Sequence, residues 1–209
     1  MTEAKVREQY DQVASQYDWR WRSYTAQTLD FLQACAKISS SANVLDVGCG
    51  TGEFEQRLVK EHPDQHVVGV DLSENMLEIA QKKFSSHSNV QFQHASVLAL
   101  PFPKQTFDVV VSANAFHYFD QPLAALAEVK RVLKPQGQLI ILDWCRDFLL
   151  CKVCDAVLKI FDSAHQQCYT QAEFHQLLAS AQFEISQTTK DRFGLIWGLM
   201  AAVATPKQL

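Results

Sequence analysis

At 209 residues, 47% hydrophobic and 20% charged, the chain has the composition of a globular protein with one large core, which excludes a disordered or fibrous one. Its net charge of -4 offers no basic excess for nucleic acid, and the one short basic cluster, Lys130, Arg131 and Lys134, reads as the solvated face of a helix. MTEAKVREQY is unlike an export signal and no run of about 18 apolar residues occurs, so the expectation is a cytoplasmic protein without integral membrane association, its cysteines reduced and mostly in the core.

In chain order, Val6, Tyr10, Val13 and Tyr17 recur at helical spacing and a second helical stretch follows from about Tyr24 to Lys37, so two N-terminal helices are expected. A Ser-rich turn leads to a short buried strand, Val44 to Val47, which runs into glycines and then a helix from about Glu53 to Lys60. Val67 to Val70 is the second strand. Ser73 can cap the next helix, whose Met76, Leu77, Ala80 and Phe84 share a face, and Val90 to Gln93 is the third strand. Phe107 to Val111, a helix from Leu123 to Leu133, and Leu139 to Leu142 complete five strand–helix alternations. Such alternation specifies a parallel sheet covered on both faces, because right-handed crossovers put helices there. Helices near 147–161 and 171–180 and strand runs near 183–189 and 193–204 follow, without repeat, low-complexity tract or linker.

The strongest chemical signal is VLDVGCGTG at 44–52, a buried strand opening directly into Gly48, Gly50 and Gly52. Glycines there allow a tight turn and close approach of a ligand to backbone, at the carboxyl end of a strand where open α/β sheets bind ligands. Asp71 closes the second strand, where a carboxylate can accept from both hydroxyls of a ribose. Dinucleotide enzymes share both features, but their glycine spacing is G-x-G-x-x-G, with the helix N-terminus holding a pyrophosphate. Here the spacing is G-x-G-x-G and Glu53 stands in the first helical turn, where its carboxylate would repel a diphosphate. An adenosine ligand without phosphates fits better.

Four motifs in order, VLDVGCGTG, GVDLSENML at 69–77, LPFPKQTFDVVVSANAFHYF at 100–119 and EVKRVLKPQGQLIILD at 128–143, make the chain from about Tyr10 to Trp144 resemble the class I S-adenosylmethionine-dependent methyltransferases, in the branch that includes quinone and small-molecule methyltransferases. The resemblance implies an α/β, Rossmann-like three-layer sandwich with seven strands, the last antiparallel, in a single domain with a helical arm or lid at 1–40 and a core at 41–209. It also implies S-adenosyl-L-methionine as cofactor. Asp46 and Gly48 to Gly52, Cys49 included, would line its methionine part, with Asn114 beside them. Asp71 would bind the ribose, and Leu72 and Met76 would pack on the adenine. Ser96 stands where such enzymes commonly carry Asp; its hydroxyl would bond the adenine amino group, with Val97 contributing backbone. YDQVASQYD at 10–18 resembles the arm that closes over the cofactor, which makes Tyr17 a cofactor contact.

Methyl transfer from a sulfonium needs alignment above all, and a base only for a poorly acidic acceptor. His117 in NAFHYF is the candidate base; a polar residue in a pocket wall is the plainer alternative. The acceptor is expected to be a small or medium-sized organic molecule, lipophilic in keeping with the aromatic arm and with FGLIWGLMAAVA at 193–204, a run that also reads as a last buried strand. Cys151 and Cys154 form a C-x-x-C with Cys145, His165 and Cys168 nearby, but Leu149, Leu150, Val153, Val157 and Leu158 make that helix read as a core element, so no metal is expected. The other histidines read as helix ends, turns or surface. Three alternatives stay open: a non-catalytic S-adenosylmethionine-binding regulatory module, a nicotinamide-dependent oxidoreductase, and a nucleic-acid methyltransferase, against which the acidic balance speaks.

Overall fold

The alternation of strand and helix is realised in a computed structural model, which describes residues 3–161, 165–193 and 197–207. The elements are α1 (Glu3–Cys35), β1 (Val44–Val47), α2 (Glu53–Glu61), β2 (Val67–Asp71), α3 (Glu74–Lys83), β3 (Val90–His94), β4 (Phe107–Ala113), a single 3₁₀ turn (Phe116–Tyr118), α4 (Pro122–Val132), β5 (Leu133–Trp144), α5 (Leu149–Phe161), α6 (Gln171–Ser180), β6 (Phe183–Phe193) and β7 (Trp197–Pro206). The strands form one seven-stranded sheet in the order β3-β2-β1-β4-β5-β7-β6. β1 to β5 pair in parallel, and β7 lies antiparallel between β5 and β6. The order reverses between β1 and β4, so their carboxyl ends splay apart and leave a crevice.

Side chains alternate between two cores, as the two-residue period of a strand requires. Leu45, Val110, Leu139 and Ile141 face α4 and α6, packing on Leu126, Val129, Phe174 and Leu178. Val44, Val109, Val111, Ile140 and Leu142 face the other way, onto Leu29 and Leu32 of α1 and Phe54 and Leu58 of α2. Local chemistry sets the helix starts. Ser73 Oγ accepts the Met76 N–H at 3.1 Å to cap α3, and Thr170 and Glu173 form a capping box at α6. Of the FGLIWGLMAAVA run, Leu199 to Ala204 are buried in β7, while residues 194–196 lie outside the described residues.

Four expectations need correcting. The two N-terminal helices are one helix of 33 residues. No Gly or Pro occurs between Glu3 and Cys35, so nothing interrupts the backbone ladder where the apolar spacing lapses at 18–23. The helix at 149–161 is present but is no core element: Leu149, Leu150, Val153 and Val157 are 74%, 50%, 55% and 47% exposed, and its buried residues are Cys151 and Asp155. Helical spacing shows that apolar residues share a face, not which face is covered. The basic cluster is divided between α4 and β5, and Arg131 is a staple rather than a solvated charge, donating to Glu128 and to the Leu100 and Phe102 carbonyls at 2.7–2.8 Å. His165 is buried rather than at the surface.

Candidate functional site

The site is built from strand tips. β1 runs into Gly48, whose φ of 81° is left-handed, and a Cβ there would stand 2.6 Å from the Ala115 Cβ beyond β4. Glycine is what lets the two tips approach. At Gly50, φ is 54° and a Cβ would meet nothing within 4 Å, so that backbone faces open space. The turn is tied down by the Gly48 and Cys49 N–H groups, which donate to the Val70 carbonyl at 2.8 and 3.1 Å.

Asp71 ends β2. Its Oδ2 accepts the Gly50 N–H at 2.8 Å and its Oδ1 accepts the Ser73 N–H at 2.9 Å. Burial raises the carboxyl above its ordinary range, opposed by these backbone donors. Each oxygen keeps a lone pair, so the group can still take two hydroxyl donors.

Above these tips lies a cavity that opens to solvent. It gathers Tyr17, Gly48, Gly50, Asp71, Leu72, Met76, Val97 and Asn114, all expected from the sequence. Five expected residues stand off its wall. Asp46 is 2% exposed beside the buried Glu55, and burial together with the Asp71 charge pushes its carboxyl up to about 8. Cys49 is buried under the turn, Gly52 starts α2 in left-handed geometry, and Ser96 turns its hydroxyl to Glu3. His117 is also set back.

The amino-terminal half of α1 closes the cavity from above with Val6, Tyr10 and Tyr17. Asp11 accepts from the Ser73 hydroxyl at 2.6 Å, Asp18 accepts from the Thr51 hydroxyl at 2.5 Å, and Lys83 pairs with Asp18 at 2.7 Å. Asn114, at φ 57°, accepts from the Tyr24 hydroxyl at 2.9 Å and donates to Thr28 at 3.1 Å. The helix is thus anchored to the loops after β1, β2 and β4. Burial pushes Tyr17 up to about 12, so its phenol stays protonated across the neutral range.

His117 is 2% exposed in the 3₁₀ turn. Its Nδ1 lies 2.6 Å from Asp143 Oδ1 while its backbone N–H donates to Asp143 Oδ2 at 2.7 Å. The ring stacks on Trp144, centroids 4.3 Å apart, and touches Tyr118 at 4.0 Å. Asp143 therefore fixes an Nδ1–H tautomer, which makes the buried Nε2 the proton-accepting atom.

Among the described residues, Asp155, His165 and Cys168 could hold a metal, with ligand atoms within 4.8 Å of one another. The carboxylate is already committed: Oδ1 takes His165 Nε2 at 2.8 Å and Cys168 N–H at 2.7 Å, and Oδ2 pairs with Lys159 at 2.9 Å. The cluster reads as a buried ion-pair knot tying α5 to the 165–169 segment. Cys154 of the C-x-x-C takes no part in it.

Sequence reasoning missed Asp143, Glu3 and Tyr118. Asp143 could have been found, since a carboxylate at the carboxyl end of β5 lies on the ligand-binding edge of such a sheet. Glu3 carries no local signal, being 93 positions from Ser96.

A family model described as a methyltransferase domain matches residues 44–137. A demethylmenaquinone methyltransferase from Bacillus licheniformis is 33% identical over 144 residues, 66% of this chain and 59% of that protein. A malonyl-(acyl-carrier protein) O-methyltransferase from Halalkalibacterium halodurans is 38% identical over 117 residues, 54% of this chain and 43% of that protein. The chain therefore spans less than two thirds of the length of these curated relatives. The crystal structure of a SAM-dependent methyltransferase from Aquifex aeolicus superposes with a TM-score of 0.67 at 25% identity, covering 85% of this chain and 88% of that one.

Proposed function

We propose that this chain, whose residues 44–137 match a methyltransferase-domain model, binds S-adenosyl-L-methionine in the cavity above β1, β2 and β4 and transfers its methyl group to a small organic acceptor. The observation that carries the reading is Asp71, held on two backbone N–H groups at the mouth of a glycine turn with lone pairs left for a ribose. The cofactor supplies a methyl made electrophilic by its sulfonium. The protein supplies alignment and exclusion of water: the glycine turn and Asn114 hold one end, Asp71 the middle, and Leu72, Met76 and Val97 the base, with α1 as the arm above.

The acceptor class follows from the wall chemistry. Tyr10, Tyr17, Tyr118 and Phe119 give the cavity an aromatic side, suited to a flat lipophilic ring, and the relatives include enzymes named for a quinone and for an acyl-carrier substrate. A nucleic-acid acceptor is disfavoured by the net charge of -4 and by Arg131 and Lys134 being paired to Glu128 and Asp108. His117 is assigned as the base for an acceptor hydroxyl that reaches its Nε2, which lies buried behind the cavity wall: as the acceptor oxygen bonds to the methyl carbon, the carbon–sulfonium bond would break to release S-adenosylhomocysteine, the hydroxyl proton would pass to Nε2, and Asp143 would stabilise the cation formed. Among the described residues no helix is long and apolar enough to cross a membrane. The test is transfer of an isotope-labelled methyl group to a panel of aromatic hydroxyl, quinol and carboxyl acceptors, with RNA in parallel. Label on a small aromatic acceptor supports the reading; label on RNA alone overturns the acceptor class.

A further inference from the structure

The cavity runs across the tips of β4, β1, β2 and β3, three strand spacings or about 15 Å, long enough for an extended nucleoside ligand. Its far end, over β3, has apolar walls from Val6, Met76, Ala95 and Val97 and one carboxylate, Glu3, which enters from the first turn of α1. Ser96, the residue expected to meet the adenine amino group, is not on the wall. Its hydroxyl accepts the Leu98 N–H at 3.0 Å and spends its one proton on Glu3 Oε1 at 2.5 Å. Ser96 therefore positions Glu3, and Glu3 presents the acceptor to the cavity.

On the reading that the cavity holds S-adenosylmethionine, we propose that Glu3 is the specificity-determining residue for the base, its carboxylate accepting a hydrogen bond from the 6-amino group of adenine. A carboxylate accepts and cannot donate, so it distinguishes an amino group from a carbonyl at that position. It sits at the rim of an apolar slot, where a charged hydrogen bond counts for more than in open water. Supplied by α1 rather than by the β3 loop, the contact also couples recognition of the base to the seating of the arm.

The experiment is calorimetric titration of the full chain with S-adenosylhomocysteine and with its 6-oxo counterpart, S-inosylhomocysteine, comparing wild type with Glu3→Gln and Asp71→Asn. Wild type is expected to prefer the amino ligand by about ten- to a hundredfold, the range of a hydrogen bond to a charged group. Glu3→Gln, whose amide can donate to a carbonyl, is expected to reduce that preference to within about threefold with an unchanged melting temperature. Asp71→Asn is expected to weaken both ligands and leave their ratio as in wild type, because it acts on the ribose. Glu3→Gln retaining the wild-type preference overturns the assignment of Glu3 while leaving the cofactor reading intact. Failure of wild type to bind S-adenosylhomocysteine overturns both.

Discussion

His117 Nδ1 stands 2.6 Å from Asp143 Oδ1, and both side chains are shielded from solvent, at 2% and 1% exposure. The imidazole is thereby held in one tautomer and one plane, with Trp144 stacked on its face. If His117 is the base, Asp143→Asn is expected to lower the turnover number about a hundredfold, at the low end of general-base contributions, with the Michaelis constant for the cofactor little changed. His117→Gln should lower the turnover number at least as far. A purely packing role would lower the melting temperature of both variants and leave the turnover number of the folded protein as in wild type.

Asp46 and Glu55 form a buried carboxyl pair beneath the glycine turn, and Asp46 is pushed up to about 8. The unfolded chain releases that proton near the ordinary carboxylate value, while the folded chain keeps it until about pH 8. This group alone should therefore make folding stability fall as pH rises from about 4 to about 8, by up to about tenfold in the folding equilibrium per pH unit. Glu55, raised by burial and by Asp46, acts in the same direction. Urea unfolding across this window checks it: Asp46→Asn should flatten the slope and stabilise the protein at pH 8. An unchanged slope would mean the proton is not held there.

Gly48 and Gly50 have separable roles in the turn. Gly48→Ala forces a Cβ to 2.6 Å from Ala115 at a φ of 81°, and should cost about 1–3 kcal/mol, visible as a melting temperature lowered by several degrees. Gly50 meets nothing within 4 Å, so Gly50→Ala is expected to cost less stability while obstructing the ligand surface. Thermal melts with and without S-adenosylhomocysteine distinguish the two; equal loss of ligand stabilisation with equal loss of fold would refute the division.

How far the sequence reached can be judged residue by residue. The strand tips were readable because turn chemistry is local: Gly48, Gly50 and Asp71 sit where a buried apolar run stops, and the structure sets them around one cavity. The sheet was readable because an apolar run between helical stretches has few other solutions. Long-range pairing was not. Glu3 with Ser96, Asp143 with His117 and Asp11 with Ser73 are single polar contacts across 93, 26 and 62 positions, and no periodicity records them. α5 shows a related limit, since its apolar spacing gave the helix but could not tell that its apolar face is exposed.

That reversal on α5 has a consequence for stability. Val153→Ser and Val157→Ser, at half-exposed positions, should shift unfolding by no more than about 0.5 kcal/mol. Asp155→Ala removes the partner of His165, Lys159 and the Cys168 N–H at once and should cost about 3–5 kcal/mol, as breaking a buried ion pair does. These hydrogen bonds and charges also hold the Asp155 carboxyl down at about 2, so its contribution is present above the ordinary carboxylate range and is lost only as pH falls toward 2. Denaturant unfolding of the three variants at pH 7 decides between this ordering and a buried α5.

The cavity above β1, β2 and β4 is central to the whole account, and calorimetric titration of the purified chain with S-adenosylhomocysteine, with NADH in parallel and Asp71→Ala as the variant, tests it without knowledge of the acceptor. The expected result is one site that binds S-adenosylhomocysteine and not NADH, weakened by roughly tenfold or more in Asp71→Ala through loss of the charged ribose contact. Binding of NADH alone, or S-adenosylhomocysteine affinity indifferent to Asp71, would contradict it.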